Sequence, residues 1–575
     1  MIRYRIDLAD PNAHRFHVAL SMARPPAAVQ LNMPAWIPGS YMVREFARHV
    51  SGLMARQGRA LCRVEQLDKA TWQVQCDRRS ALVVEYDVYA FDASVRTAWL
   101  DAHRGFFNGT SVCLRVVGHE DEPHRITLGK LPPGWSVATS MSTSRGTEYA
   151  AADYAELIDH PFELGTFWRR EFDARGSRHE FVVAGAWPEF DGERLVADTR
   201  RIVEAQIAFW HGARGKPPYE RYVFMLNAVD DGYGGLEHRS STALIAGRRD
   251  LPRVGIKDIG DSYATLLGLV SHEFFHTWNV KRLQPRDFAA LDYSRENYTQ
   301  LLWFFEGVTS YYDDLMLRRA GLIDTARYLK LLAKNVNNVL SMPGRRVQSV
   351  AQASFDAWVK YYRPDENTPN ATVSYYAKGA LVALALDLTL RREGHGSLDD
   401  VMRGLWRDAT GGLVDETVIA TALHDVGGRD YGPELAAWVH GTDELPLRSL
   451  LEATGVAWAE EAPTLAQRLG LRISESALTG VQVKHVMRGG PAERAGLAAG
   501  DELLAANGWR LRRLDDAQAT AAAGASLELL AARDQRVFTA RVAFATPGAA
   551  GTVALAPADR PTKAALALRR SWLGD

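Results

Sequence analysis

The first part of the chain alternates apolar and polar residues in short runs, such as ALVVEYDVYAF and SVCLRVVGHE, and these runs are separated by Pro, Gly and Asp. Alternation with a period of two places every second side chain on one face of a strand. The pattern therefore predicts an all-β domain of antiparallel sheets over residues 1–168.

The pattern changes twice further along the chain. The strand-like runs RHEFVVAGAW and RYVFMLNAV flank the amphipathic segment VADTRRIVEAQIAFWHGA, which predicts an α/β domain over residues 169–320. Longer segments with the helical period follow, among them TARYLKLLAKNVNNVL and YYAKGALVALALDLTLRREG. They predict a helical domain over residues 321–458.

Short strands and Gly-rich turns return near the C-terminus, as in GVQVKHV and VFTARVAF. They predict a separate small β domain over residues 459–546, followed by an extension over residues 547–575. The chain is therefore expected to be a multidomain α+β protein.

Composition and charge exclude several classes of protein. The 68 basic and 69 acidic residues nearly cancel, so no overall field favours nucleic acid. No apolar stretch approaches the roughly 20 residues of a membrane span. The N-terminus lacks the apolar core of a secretory signal, which favours the cytoplasm, although a removed leader would allow the periplasm. Oligomeric state is left open.

The segment VSHEFFHTWNVKRL carries candidate metal chemistry. On a helix, His272 and His276 lie one turn apart on the same face, so both imidazoles can bind one ion. Glu273 lies beside them as a candidate general base. A catalytic zinc takes three protein ligands and keeps one position for water, so a third ligand is required. The alternative interpretation is a histidine pair in a packed helix.

A carboxylate suits the third position, and the segment WFFEGVTSYYDDL offers Glu306. This segment resembles the second zinc-binding helix of the gluzincin metallopeptidases, in the positions of Trp303, Gly307 and Tyr311. The resemblance implies one zinc ion per chain, bound by two histidines and Glu306, with Glu296 as the alternative by spacing. The intervening residues 277–305 form a longer gap than in the aminopeptidase N branch, and their insert NVKRLQPRDFAALDY is expected to loop out.

Two further segments resemble the same branch. VSYYAKGALVAL is similar to its Y-E-K-G-A motif, which implies that Tyr376 stabilises the oxyanion, with Tyr375 as the alternative. YGGLEH is similar to the edge-strand segment G-x-M-E-N, which implies that Glu237 binds the substrate ammonium and that Gly234 and Gly235 admit the substrate backbone. A histidine, His238, stands where that branch has asparagine.

The long gap, the segment PAWIPGSYMVREF and the C-terminal region together resemble the glycyl aminopeptidase family. That family joins a thermolysin-like gluzincin domain to a C-terminal PDZ domain and prefers small first residues, Gly or Ala. Within the PDZ-like region, Leu469, Gly470 and Leu471 match the loop that can bind the carboxylate of a peptide C-terminus.

The resemblance implies a zinc aminopeptidase that acts on peptides with a free N-terminus. Three alternatives use the same residues differently. A zinc endopeptidase would not need Glu237 near the metal, and a leukotriene-hydrolase-like epoxide hydrolase would share the metal ligands. A non-catalytic scaffold that binds through its PDZ domain would need neither the ligands nor the base.

Overall fold

The computed structural model describes residues 1–409, 412–520, 526–543 and 551–574, with the backbone alone at residue 145. The chain divides into two compact units. The first contains Met1–Tyr298, Arg319–Ile323 and Arg403–Val414, and the second contains Thr299–Arg318, Asp324–Met402 and Asp415–Asp575. Among the described residues, no helix is long and apolar enough to cross a membrane.

The N-terminal part of the first unit contains three sheets around one core, which confirms the predicted all-β domain. The sheets are not wholly antiparallel, because Ile2–Asp10 pairs parallel with His124–Leu128. Along the first strand, Ile2, Tyr4 and Ile6 are buried while the intervening arginines are exposed, as the alternation predicts. The eight-stranded sheet has the order Ser142–Arg145, Glu148–Ala151, His124–Leu128, Ile2–Asp10, Arg15–Met22, Leu82–Tyr89, Val50–Gln57 and Ala60–Leu61.

The two smaller sheets have four strands each. One has the order Arg115–Val116, Ala28–Asn32, Thr71–Gln75 and Val64–Asp68. The other has the order Ser136–Ala138, Phe162–Gly165, Arg104–Phe107 and Ala98–Leu100.

A five-stranded mixed sheet follows in the first unit, in the order Trp168–Ala174, Ser177–Ala184, Arg221–Val229, Ser241–Gly247 and Tyr233–Glu237. The last of these strands lies at the edge of the sheet and runs antiparallel to its neighbour. The helices Gly192–His211 and Asp261–Phe275 belong to the same unit. The Gln206 side chain joins these helices, because its Nε2 donates to the carbonyl and hydroxyl oxygens of Ser271.

The insert after the second histidine is largely irregular, and it packs against the N-terminal domain within the first unit. Its short strand Gln284–Pro285 pairs with Leu413–Val414. Ala35 N donates to the Tyr293 carbonyl at 2.7 Å, and Trp36 Nε1 donates to the Asp292 carbonyl at 2.9 Å. The expected loop therefore exists, but the segment PAWIPGSY binds it.

The middle of the chain is helical, as predicted. A π-helical turn, Trp303–Gly307, leads into the helix Val308–Arg319. The further α-helices of five or more residues are Thr325–Leu340, Val350–Phe355, Ala377–Glu393, Leu398–Asp408, Glu416–Gly427 and Leu447–Ala453, and a second π-helical turn spans Ala436–His440.

The C-terminal part of the second unit contains a small sheet with its own apolar core. Its strands follow the order Leu471–Ser476, Gly480–Val486, Glu502–Ala506, Leu527–Arg533 and Arg536–Val542, and Trp509–Arg510 pairs with the third of them. Short helices span Leu465–Leu469, Pro491–Arg494 and Asp516–Thr520.

The residues after this sheet return to the helical part of the second unit. Val553–Pro557 pairs with Val456–Glu460, and the helix Lys563–Leu573 buries Trp572. Trp572 Nε1 donates to the Tyr311 hydroxyl at 3.0 Å. The boundary expected between residues 546 and 547 lies outside the described residues, and the five predicted domain ranges stay a prediction.

Candidate metal and substrate site

The two histidines of the H-E-x-x-H motif lie at the end of the helix Asp261–Phe275, and their Nε2 atoms are 3.1 Å apart. Two nitrogens bound at about 2.0–2.1 Å to one tetrahedral zinc would lie about 3.4 Å apart. The second ring nitrogen of His276, Nδ1, is 2.7 Å from the Asn279 carbonyl. That bond places the proton on Nδ1, so the lone pair of Nε2 can bind a metal.

Aromatic packing fixes the end of this helix. Phe274, Phe275 and Trp278 are fully buried, so the face opposite the histidines belongs to the core. Val280 follows with a φ of 131°, a strained conformation for a β-branched residue. It comes directly after the carbonyl that orients His276, and strained backbone of this kind concentrates at functional sites.

The Glu273 carboxylate lies directly over the backbone of the edge strand. A Cβ added at Gly235 would lie 2.1 Å from Glu273 Oε1, so only glycine leaves room for the carboxylate there. Glu273, Glu237 and His276 are all buried, and each has a ligand atom within 4.8 Å of the others. The candidate base and the candidate ammonium-binding group therefore lie beside one candidate metal-binding histidine.

Glu237, at the end of the edge strand, is 4% exposed. A Cβ added at Gly39 would lie 2.5 Å from each of its carboxylate oxygens, and Gly39 has a φ of +90°, which also favours glycine. Among the described residues, no side chain donates a hydrogen bond to this carboxylate. The Gly235 carbonyl on the same strand accepts a hydrogen bond from Arg96 Nη2 at 2.9 Å.

A cavity of about 400 Å³ lies beside Glu237, and the PAWIPGSY segment and the insert both contribute to its walls. Lys281 Nζ lies 2.7 Å from Asp159 Oδ1 at the wall, and His238 Nδ1 lies 3.6 Å from the same oxygen. Burial opposes ionisation of Asp159, but Lys281 and then His238 outweigh it and hold the pKa of this carboxyl well below its usual range. His238 therefore forms part of a buried charged cluster.

Glu306, in the second unit, lies in the π-helical turn Trp303–Gly307 and is 2% exposed. Such turns occur often at functional sites. The next residue, Gly307, allows a close helix contact, because a Cβ there would lie 2.6 Å from the Cα of Gly379. Gly379 belongs to the YAKGA motif, so the two motif glycines pack backbone against backbone. Glu296 lies in an irregular segment outside any helix.

Tyr376 immediately precedes the helix Ala377–Glu393, and its hydroxyl lies 3.2 Å from the Tyr362 hydroxyl. Burial, and then the nearby Glu306 carboxylate, raise the pKa of Tyr376 well above its usual range, so its phenol remains a hydrogen-bond donor. The alternative, Tyr375, is fully buried, whereas Tyr376 is half-buried. Access therefore favours Tyr376 over its neighbour.

The three residues of the PDZ-like loop lie at the junction of a helix and a strand. Leu469 ends the helix Leu465–Leu469, Gly470 caps it with a φ of 73°, and Leu471 begins the next strand. The Gly470 amide donates to the Gln467 carbonyl, and both leucine side chains are buried. The loop is thus built into the domain core, and its binding of a carboxylate stays a prediction.

Three contributors to the site could not be recognised in the sequence. Gly39 accommodates Glu237, Arg96 binds the edge strand, and Lys281 forms an ion pair with Asp159 at the cavity wall. The glycine and the positively charged residues carry no local pattern of their own. The only hint in the sequence is the segment PAWIPGSY, which contains Gly39. This segment resembles one of the glycyl aminopeptidase family, but the resemblance does not indicate a role for the glycine.

The geometry described so far is that of a multidomain metallopeptidase with an H-E-x-x-H helix beside an edge strand. Three family models match the chain: the Peptidase M61 N-terminal domain over residues 3–166, M61 glycyl aminopeptidase over residues 265–382, and the PDZ domain over residues 459–530. No curated protein matches the chain.

The chain is also similar to several solved structures. The crystal structure of an aminopeptidase N family protein from Idiomarina loihiensis is 35% identical, covers 100% of both chains and has a TM-score of 0.94. An M1 zinc metallopeptidase from Deinococcus radiodurans is 16% identical, with 78% of this chain and 94% of that chain covered and a TM-score of 0.48. Legionella pneumophila aminopeptidase A is 14% identical, with 76% and 49% covered and a TM-score of 0.47.

The protein belongs to the M61 glycyl aminopeptidase family. The predictions of a metallopeptidase of the aminopeptidase type, of a zinc cofactor and of a C-terminal PDZ domain are confirmed. The donor atoms fit this metal, because paired imidazole nitrogens are ligands that zinc prefers, and the His276 ring is oriented through its second nitrogen.

Proposed function

We propose that this zinc aminopeptidase recognises the free α-ammonium of a peptide through Glu237 and cleaves the first peptide bond, with a preference for small first residues. The observation that carries the proposal is the Glu237 carboxylate, which is buried beside Gly39 and grouped with Glu273 and His276. A buried carboxylate at a cavity wall needs a cationic partner, and a substrate ammonium supplies one.

We propose His272, His276 and Glu306 as the metal ligands. When bound, zinc lowers the pKa of a water and polarises the scissile carbonyl. The aromatic helical segment around Glu306 and the burial of this residue support its assignment as the third ligand. Because the ligands and the base are all retained, the catalytic interpretation is favoured over a scaffold that binds only through its PDZ domain.

The chain's own residues then have separate roles. Glu273 accepts a proton from the attacking water and transfers it to the leaving amine nitrogen. The neutral Tyr376 phenol donates a hydrogen bond to the oxygen on which negative charge develops. Glu237 holds the ammonium, and Gly234 and Gly235 let the substrate backbone approach the edge strand. The PDZ domain is the proposed site for a peptide C-terminus.

The preference for Gly or Ala rests on resemblance to the family. A panel of aminoacyl anilides with Gly, Ala, Leu, Phe and Arg tests it directly. We expect kcat/KM to be highest for Gly and Ala. Faster cleavage of Leu or Phe anilides would contradict the small-residue preference without affecting the proposed role of Glu237.

The ammonium role is tested with Glu237→Gln, which keeps the size of the side chain and removes its charge. Removing one partner of a buried charge pair costs about 2–5 kcal/mol, so kcat/KM for glycyl anilide should fall roughly 30-fold to several thousand-fold. Zinc content should stay unchanged. The matched control is Glu65→Gln, an exposed carboxylate paired with Arg63, which should leave kcat/KM unchanged. A Glu237→Gln enzyme with full activity would contradict the proposal.

A further inference from the structure

A second, larger cavity lies within the second unit, next to the small C-terminal sheet. Its volume is about 1030 Å³, and its walls come from the helix Thr325–Leu340, the turn Pro343–Arg346, the strand Leu471–Ser476 and the loop before the helix Pro491–Arg494. Small-molecule pockets usually measure about 300–1,000 Å³. This cavity can therefore hold several residues of a peptide.

The charge of this cavity is strongly positive. Six arginines line it, and none of its described lining residues is acidic. Two nearby carboxylates reduce this charge in part. Glu444 is shared between Arg345 and Arg346, at 3.1 Å from each, and Glu493 accepts a hydrogen bond from the Gly489 amide at 2.6 Å. The six arginines are Arg345, Arg346, Arg468, Arg472, Arg488 and Arg494.

Several of these guanidinium groups are held in place by neutral partners. Arg472 Nη2 donates to Ser341 Oγ at 2.7 Å, and Arg494 Nη1 donates to the Gly489 carbonyl at 2.5 Å. A guanidinium has five N–H donors, so each of these contacts leaves further donors for a ligand. Burial lowers the pKa of Arg472, as expected for a cation that lacks a compensating anion.

The strand at the cavity wall offers backbone hydrogen bonds as well. Leu471–Ser476 lies at the end of its sheet, and among the described strands it pairs only with Gly480–Val486. An extended peptide can add to such an edge. Arg472 belongs to this strand, so a peptide paired there would run past the arginines.

We propose that this arginine-lined cavity binds an extended acidic peptide segment. The side-chain carboxylates of the segment bind the guanidinium groups, and its backbone pairs with the strand Leu471–Ser476. This inference rests on the proposed peptide binding by the PDZ domain, because Gly470 and Leu471 line the cavity, and it adds the chemistry of the partner. The proposed hydrolysis uses none of these residues. It gives the PDZ domain a partner of defined chemistry, a protein or peptide that carries clustered Asp and Glu.

The lining favours a peptide over other anions. No aromatic side chain is found among the described lining residues, so nucleic acid bases have no stacking surface. A single phosphate would fill only a small part of the volume. Leu340 and Met487 add apolar surface between the arginines, which suits a peptide with mixed apolar and acidic side chains.

Fluorescence polarisation with the full-length protein tests this proposal. The probe is fluorescein-Gly-Ser-Asp-Glu-Asp-Leu, whose blocked N-terminus prevents binding as an aminopeptidase substrate. The comparison peptide replaces Asp and Glu with Asn and Gln. We expect the acidic probe to bind at least about tenfold more tightly. Equal affinity for the two peptides would overturn the proposal.

Replacing arginines of the cavity with glutamate tests whether the acidic probe binds there. Arg488→Glu and Arg494→Glu change exposed side chains at the cavity, so each variant should fold and weaken the acidic probe about tenfold or more. Arg541→Glu is the matched control on the same domain, outside the cavity, and should not change binding. If all three variants weakened binding of the acidic probe equally, the assignment of the binding site to this cavity would be overturned.

Two further measurements distinguish a peptide ligand from other anions and from the substrate of the metal site. Tighter binding of an oligouridylate or of inorganic tripolyphosphate than of the acidic probe would overturn the peptide assignment. Glycyl anilide cleavage should be unchanged in Arg488→Glu and Arg494→Glu. Because the probe reports binding without turnover, failure of this proposal would leave the proposed aminopeptidase function untouched, and the reverse also holds.

Discussion

Two pairs of glycines in the motifs make close contacts for different purposes. In the first unit, Gly235 and Gly39 each face a carboxylate, and a Cβ would collide with Glu273 or Glu237. In the second unit, Gly307 and Gly379 face each other, and a Cβ would collide with backbone. The first pair makes room for functional groups, whereas the second pair determines how closely two helices pack. Substitutions at the two pairs should therefore have different consequences.

The largest expected effect is on stability, at the helix contact. Gly307→Ala places a methyl group 2.6 Å from the Cα of Gly379, where no flexible side chain can move away. Overpacking typically costs 1–3 kcal/mol, and a backbone obstacle should place this variant at or above the top of that range. We expect a lower midpoint of thermal unfolding together with lost activity. An unchanged midpoint would contradict the proposed role of this contact.

Gly235→Ala should affect catalysis more than folding. Gly235 does not have a positive φ, so alanine fits its backbone, but the methyl group displaces the Glu273 carboxylate. General-base catalysis contributes typically 10²- to 10⁴-fold, and a loss of kcat in that range is expected. Metal analysis should show zinc retained. If the thermal midpoint fell as far as in Gly307→Ala, the distinction between the two pairs would fail.

Gly39→Ala should have a smaller effect that depends on the substrate. The methyl group moves the Glu237 carboxylate without removing it, so kcat/KM for glycyl anilide should fall at least about tenfold. Strain at its positive φ adds a stability cost of about 1 kcal/mol. Titration with glycyl anilide should show most of the change in KM. A change in kcat alone would show that Gly39 acts on another group.

Gly404→Ala is the control with the smallest effect and the opposite sign. This glycine lies inside the helix Leu398–Asp408, and the nearest atom to an added Cβ is the end of the Arg407 side chain at 3.9 Å. Alanine in a helix interior is favoured over glycine by up to about 1 kcal/mol. We expect a slightly higher thermal midpoint and unchanged kinetics. A lower thermal midpoint for Gly404→Ala would show that the contacts of an added Cβ do not by themselves predict the effect of a glycine substitution on stability.

The sequence predicted what local patterns encode. Periodicity of two and of 3.6 identified the β-rich N-terminal region and the long helices, and the spacing of His272 and His276 predicted their shared helix face. Asn507 and Gly508 both have positive φ and join the paired residues Ala506 and Trp509, the geometry that an Asn-Gly pair favours in a hairpin turn.

Contacts between distant segments could not be predicted in this way. Gly39 lies against Glu237 because two segments that are far apart in the sequence fold together within the first unit. The residues around each of the two carry no pattern that would identify the other as its contact. The same is true of Trp572, which bonds to Tyr311. Such pairs depend on tertiary packing, which periodicity and spacing along one chain do not record.

The central claim is that a free α-ammonium is recognised beside the catalytic base. The most direct measurement is the ratio of wild-type kcat/KM for glycyl anilide to that for N-acetylglycyl anilide. Acetylation removes the charge that Glu237 is proposed to bind, so the ratio should be about 30 or greater. A ratio near one would contradict the claim and favour the zinc endopeptidase.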